Sequence, residues 1–153
     1  MFLNWKSFKN FEVQKITIYF IEYQKENFFL LDNYQELLKN QKIMKIIDNP
    51  KTINEIKKII LAGKRGSFDY VFYNNDTLKP IDIPSMPNYL LEMIDSSNNR
   101  IYVFMWLYDN QESAFITYFY DNNLNKLNRD KMKNLVINEN DTKSLKRLFL
   151  SFF

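Results

Sequence analysis

The chain has 153 residues, 46% hydrophobic, 25% charged and 17% aromatic, with 21 cations against 18 anions and a net charge of +3. A chain this apolar and this weakly charged is not disordered, and its length fits one domain over residues 1–153, since chains divide above about 250 residues. It has no histidine, no cysteine and two glycines, which excludes Ser-His-Asp and Cys-His catalysis, thiolate or imidazole zinc sites, disulfide scaffolds and glycine-rich phosphate loops.

Met1 to Phe11 interleaves Asn4, Lys6, Ser7, Lys9 and Asn10 with its apolar residues and so lacks the apolar stretch of a signal peptide. The apolar run Ile101 to Tyr108 is far below the ~18 residues of a spanning helix. The expectation is a cytoplasmic protein without a membrane partner. Lysine outnumbers arginine 17 to 4, and Asn, Ile, Phe and Tyr abound. An AT-rich coding sequence gives that bias by itself, so the basic pI carries little functional information.

Trp5, Phe8 and Phe11 recur at helical spacing and are expected to pin the N-terminus to the core. Val13 to Tyr23 is β-branched and aromatic and predicts a strand, with Phe28 to Leu31 as a short hairpin partner. Asp32 opens a helix with Gln35 at the capping-box position, and the apolar phase predicts a second short helix over Ile43 to Ile47, closed by Asn49-Pro50. Thr52 with Glu55 forms another capping box, for a helix burying Ile53, Ile56 and Ile60 and ending at Gly63.

Phe68 to Tyr73 and Leu78 to Ile83 read as a hairpin around Asn74-Asn75-Asp76. Pro87 suits the first turn of a helix running to about Asp95. Arg100 to Tyr108, a turn at Asp109 to Glu112, and Ser113 to Tyr120 form the clearest hairpin. A short strand is expected at Leu135 to Ile137. Asp141 or Thr142 caps a last helix with Leu145, Leu148, Phe149 and Phe152 on one face. Hairpins and helices without a βαβ rhythm predict an α+β fold, a mainly antiparallel sheet with several packed helices.

Within Arg100 to Tyr108, Ile101, Val103, Met105 and Leu107 share one side and Tyr102, Phe104, Trp106 and Tyr108 the other. The aliphatic side suits the core, and a helix over the aromatic side is the default. The stretch Arg65 to Tyr73 resembles the aromatic strand of RNA-recognition motifs, but out of register and with Asp69 inside it. Gly63-Lys64-Arg65-Gly66 is read as a helix end whose cations oppose the negative end of the helix dipole, with anion binding as the alternative.

Charge is segregated along the chain. Residues 39–66 carry +6, residues 67–125 carry −6 and residues 126–153 carry +4. The aromatic hairpins therefore lie in acidic sequence, which repels phosphate and suits a basic protein. The candidate contact residues are Asp69, Asp76, Tyr102, Trp106, Tyr108, Asp109, Glu112 and Asp121. They predict a non-catalytic inhibitor, the immunity protein of a bacterial toxin, masking the basic active site of a nuclease-type partner without a cofactor or metal. The alternative is nucleic-acid binding through residues 39–66 and the C-terminal segment, provided these are adjacent. A third reading is a Mg²⁺-dependent nuclease built from fragments such as Pro80-Ile81-Asp82, Glu55-Ile56-Lys57 and Asp141-Thr142-Lys143, which needs its carboxylates to converge.

Overall fold

A computed structural model describes residues 5–21, 43–66, 73–74, 79–80, 87–120 and 133–152. Their elements, in chain order, are helix α1 (Trp5–Asn10), strands β1 (Lys15–Phe20) and β2 (Ile43–Ile47), helix α2 (Pro50–Ala62), and strands β3 (Lys64–Arg65), β4 (Tyr73–Asn74), β5 (Lys79–Pro80), β6 (Tyr89–Ile94), β7 (Arg100–Trp106), β8 (Phe115–Tyr120) and β9 (Lys133–Val136), then helix α3 (Glu139–Leu150). Seven strands form one sheet in the order β2-β1-β6-β7-β8-β9-β3, with β4 and β5 a separate two-stranded ladder. Every neighbouring pair is antiparallel. The fold is α+β, as the order of hairpins and helices predicts.

The period-2 alternation of β7 sorts the sheet into two faces. Ile101, Val103 and Met105, with Ile16 and Ile18 of β1, Leu91 and Met93 of β6, and Ile116 and Tyr118 of β8, meet Phe8 and Phe11, Ile53, Ile56 and Ile60 of α2, and Leu145 and Phe149 of α3 in one core. The three helices thus cover the aliphatic face, and Phe8 and Phe11 near the N-terminus and Leu145, Leu148, Phe149 and Phe152 near the C-terminus dock on it as their spacing predicts. The opposite face is buried as well: Leu90, Tyr102 and Phe104 have no accessible surface, and Trp106 and Phe119 retain 4%.

Two elements differ from the sequence reading. Ile43–Ile47 is a strand, not a helix, because β1 offers a partner (Ile16 opposite Ile47, Thr17 opposite Ile46) and a β-branched run of this length fits either state until it is paired. Tyr89–Ile94 is also a strand where Pro87 suggested a helix start. It lies between β1 and β7 with Tyr89 to Met93 all buried, and a strand covered on both faces shows no alternation to mark it.

The helix starts shift too. Asn49 caps α2, its side chain accepting from the Lys51 amide at 2.9 Å with Pro50 in the first turn. Asn138 caps α3 by accepting from the Asp141 amide at 2.7 Å. The Thr52 and Asp141 starts are therefore superseded by asparagines lying upstream. At the far end of α2, Gly63 is extended (φ −62°, ψ 149°) rather than left-handed. A Cβ there would lie 3.3 Å from Leu135 Cβ, and one at Gly66 would overlap Val136 Cγ2. Close approach to β9, not turn geometry, is what glycine provides at both positions.

The expected hairpin partner Phe28 to Leu31, the Asp32 helix and most of the Phe68 to Ile83 hairpin lie outside the described residues; β4 and β5 supply its antiparallel pairing. Among the described residues no helix is long and apolar enough to cross a membrane.

Candidate functional site

Of the eight candidate contact residues, Asp69, Asp76 and Asp121 lie outside the described residues. Tyr102 and Trp106 belong to the buried second face. Tyr102 packs 5.5 Å from Phe119 and Trp106 5.3 Å, edge-on, from Phe115, each its directly opposed partner across the β7–β8 ladder. At 0% and 4% exposure they give no side-chain surface to a partner in this conformation. Alternation identifies the face but is the same whether that face is bare or covered.

That buried face holds a polar group the sequence reading passed over. Glu92, opposite Tyr102 in the β6–β7 register, accepts a hydrogen bond from the Tyr102 hydroxyl at 3.1 Å, and its Oε2 lies 3.7 Å from the Arg100 guanidinium. Burial, and then the Glu92 charge, raises the Tyr102 phenol above its ordinary range. A buried carboxylate is costly unless paired in this way. The pairing fixes β6 against β7.

Asp109 and Glu112 stay exposed on the β7–β8 turn, and the turn beneath them is held from three sides. The Asn88 side chain donates to Leu107 O at 2.9 Å and accepts from Leu107 N at 2.8 Å. Buried Gln111 accepts from the Tyr108 amide at 2.7 Å and donates to Ser113 O at 3.1 Å. Lys146 of α3 donates to Gln111 O at 2.6 Å and Asp109 O at 3.1 Å. Two carboxylates thus stand on a turn whose Leu107, Tyr108 and Gln111 backbone groups all have partners.

Beside the turn runs a row of rings assembled from separate elements. Phe20 lies 5.7 Å from Tyr89, Tyr89 4.8 Å from Phe149, and Phe149 5.6 Å from Phe152. The charge of Asp109 contributes to raising Tyr89, after burial, and Tyr89 likewise adds to the effect of burial on Tyr108, so turn and ring row are contiguous. Phe20 is 38% exposed; Tyr108 and Phe152 are half-buried. These three replace Tyr102 and Trp106 as the aromatic residues a partner can reach. Tyr108 is one of the sequence candidates; no local signal marks Phe20 and Phe152, because they stand at the ends of elements far apart in sequence.

The phenols make the structure sensitive to alkali. Burial pushes Tyr108 and Tyr118 up to about 12 from 10.0, and Tyr19, Tyr89 and Tyr102 shift the same way. A phenol whose folded value is raised gives stability that is complete below its unfolded value and is lost as pH climbs to the folded one. Stability is therefore expected to fall between pH 10 and about 12. Phenolate absorbance and circular dichroism should then change together in one cooperative step. Ionisation of all ten tyrosines near pH 10 with the far-ultraviolet signal intact would refute the burial of Tyr19, Tyr89, Tyr102, Tyr108 and Tyr118.

The basic segments are adjacent. Helices α2 and α3 pack against one another, and β3 pairs with β9. Lys51, Lys58, Lys143 and Arg147 are exposed, though Lys143 faces Glu139 at 3.4 Å. Lys57 is committed to the carbonyls of Lys9 and Phe11, as Lys146 is to the turn. Among the fragments of the nuclease pattern, Glu55 is exposed on α2 and Asp141 accepts from the Asn138 side chain at 2.8 Å. Among the described residues no three carboxylates group to hold a metal ion; Asp82 lies outside them. Comparison with known proteins finds no matching family model, curated protein or solved structure.

Proposed function

We propose that this protein is a non-catalytic, protein-binding inhibitor, the immunity partner of a bacterial toxin, which covers the basic active site of a nuclease-type domain. The observation that carries the reading is the fixed β7–β8 turn. Asp109 and Glu112 project from backbone pinned by Asn88, Gln111 and Lys146, beside the partly exposed rings of Phe20, Tyr108 and Phe152. Preorganised carboxylates next to aromatic anchors are what a basic, phosphate-binding surface recognises, and rigidity lowers the entropic cost of association.

The test is a tagged pull-down from the native host, with bound protein and bound nucleic acid both quantified. A single stoichiometric protein retained after nuclease treatment and moderate salt supports the reading and names the target. Nuclease-sensitive nucleic acid without protein sinks it. With a partner in hand, Asp109→Lys with Glu112→Lys should weaken binding by about tenfold or more, largely through the association rate, while thermal stability stays unchanged. Unaltered affinity would remove the turn from the interface.

One observation favours nucleic-acid binding as a second reading: the two basic segments, separate in sequence, meet in the α2–α3 layer and the β3–β9 pair. Binding to duplex or single-stranded oligonucleotides that weakens steeply with salt distinguishes it.

A further inference from the structure

A cavity of about 310 Å³ opens where the end of α2 meets β8, β9 and β3. Among the described residues it is lined by Leu61, Gly63, Arg65, Tyr118, Lys133 and Leu135. The strand register explains the grouping. Lys133 stands opposite Tyr118 and Leu135 opposite Arg65, and residues two apart on a strand share a face, so all four side chains project to the side that carries the helices. Arg65 and Lys133 are diagonal neighbours in this lattice. Such positions are about 7–8 Å apart, close enough for two long side chains to converge on one anion between them.

The chemistry of the lining is one-sided. Among the described residues its two charged groups are both cations, drawn from distant parts of the sequence, and neither forms an ion pair there. Two neighbouring cations repel one another, and a bound dianion relieves this. Leu61, half-buried, adds an apolar edge, with Leu135 and Tyr118 buried in the core behind it. Buried Tyr118 remains a neutral phenol at physiological pH, being held up at about 12. The volume is at the lower end of the ~300–1,000 Å³ range of small-molecule sites.

We infer that this cavity binds a small phosphomonoester bearing a compact apolar group. Arg65 and Lys133 hold the phosphate, Arg65 through its planar fork, and half-buried Leu61 receives the apolar body. The site shares no residue with the acidic turn and does not rest on the inhibitor reading.

The experiment is isothermal titration of the full chain with phenyl phosphate, inorganic phosphate and benzyl alcohol. It is repeated on Arg65→Gln, Lys133→Gln and Arg65→Lys, each first shown to be folded by its circular dichroism melt. Phenyl phosphate should bind one to one and more tightly than either fragment, and each glutamine variant should weaken it by about tenfold, the loss of one charge-assisted contact. Arg65→Lys, which keeps the charge but loses the fork, should fall between wild type and Arg65→Gln. Absence of binding at millimolar phenyl phosphate, or equal affinity in the glutamine variants, overturns the proposal. So does binding of an oligonucleotide without terminal phosphates that depends on Arg65 and Lys133 while phenyl phosphate stays silent, which would assign the cations to a nucleic-acid backbone.

Discussion

Asn88→Ala is expected to destabilise the protein by about 2–4 kcal/mol, because two buried backbone groups lose their partners together. The Asn88 side-chain amide pairs with both the N–H and the C=O of Leu107. Its own backbone donates to Met105 O and accepts from Ile21 N. It therefore extends the β6–β7 ladder one rung past the strand and at the same time ties in β1. Leu107 is 6% exposed, so water does not readily replace the amide. For a domain of this size the thermal midpoint should fall by about 4–16 °C. Denaturant unfolding gives the free energy directly. The acidic turn rests on this rung, so partner affinity should fall with stability even where the variant is folded. A loss below about 1 kcal/mol would mean that Leu107 finds other partners, and that Asn88 does not hold the turn.

Phe149→Ala should cost about 3–5 kcal/mol, the range for deleting a buried ring that leaves a cavity. Phe149 is 2% exposed and meets Tyr89 edge-on at 4.8 Å and Phe152 at 5.6 Å. With Leu145 it is the buried anchor of α3 on the sheet. A helix of 12 residues is marginal by itself, so weakened docking should raise amide exchange across Glu139–Leu150 before it does so in β7. Leu150→Ala is the matched control. That side chain is 69% exposed one residue further on and its removal should change stability by less than about 0.5 kcal/mol. Equal losses in the two variants would refute the orientation of the helix.

What the sequence makes legible follows from which residues have one face in solvent. Helix α2 shows itself through Ile53, Ile56 and Ile60 because Asn54, Glu55 and Lys58 between them are polar and exposed. The β7–β8 hairpin shows itself through its alternation and its polar turn. Strand β6 is hidden because Tyr89 to Met93 are buried on both sides, which leaves an apolar run and a misleading proline. Glu92 was missed with it, since a carboxylate on a presumed helix gives no reason to seek a tyrosine ten residues on. Asn49 and Asn138 were passed over because several cap-competent residues lie within one turn, and only the packed helix selects among them. The acidic turn was readable from Asp109 and Glu112. Tyr108 was readable with it, but Phe20 and Phe152 were not, because they reach the turn only when β1, β7 and α3 meet.

The strand order also sets an order of assembly. Strands β6, β7 and β8 pair with their neighbours in sequence across short turns, whereas β1 reaches β6 only after the segment between Phe20 and Tyr89 has closed. Loop closure of that length is an entropic cost borne before any contact repays it. The three-stranded meander is the natural nucleus, with β1 and the β3–β9 edge joining later. Conservative truncations at Val103 should then slow refolding, while those at Ile16 should chiefly accelerate unfolding; stopped-flow kinetics showing the reverse would place the nucleus at the β1 side. The acidic turn belongs to the part that folds first, so its two carboxylates are in place before Phe20 of β1 and Lys146 and Phe152 of α3 arrive to complete the surface proposed to meet a partner.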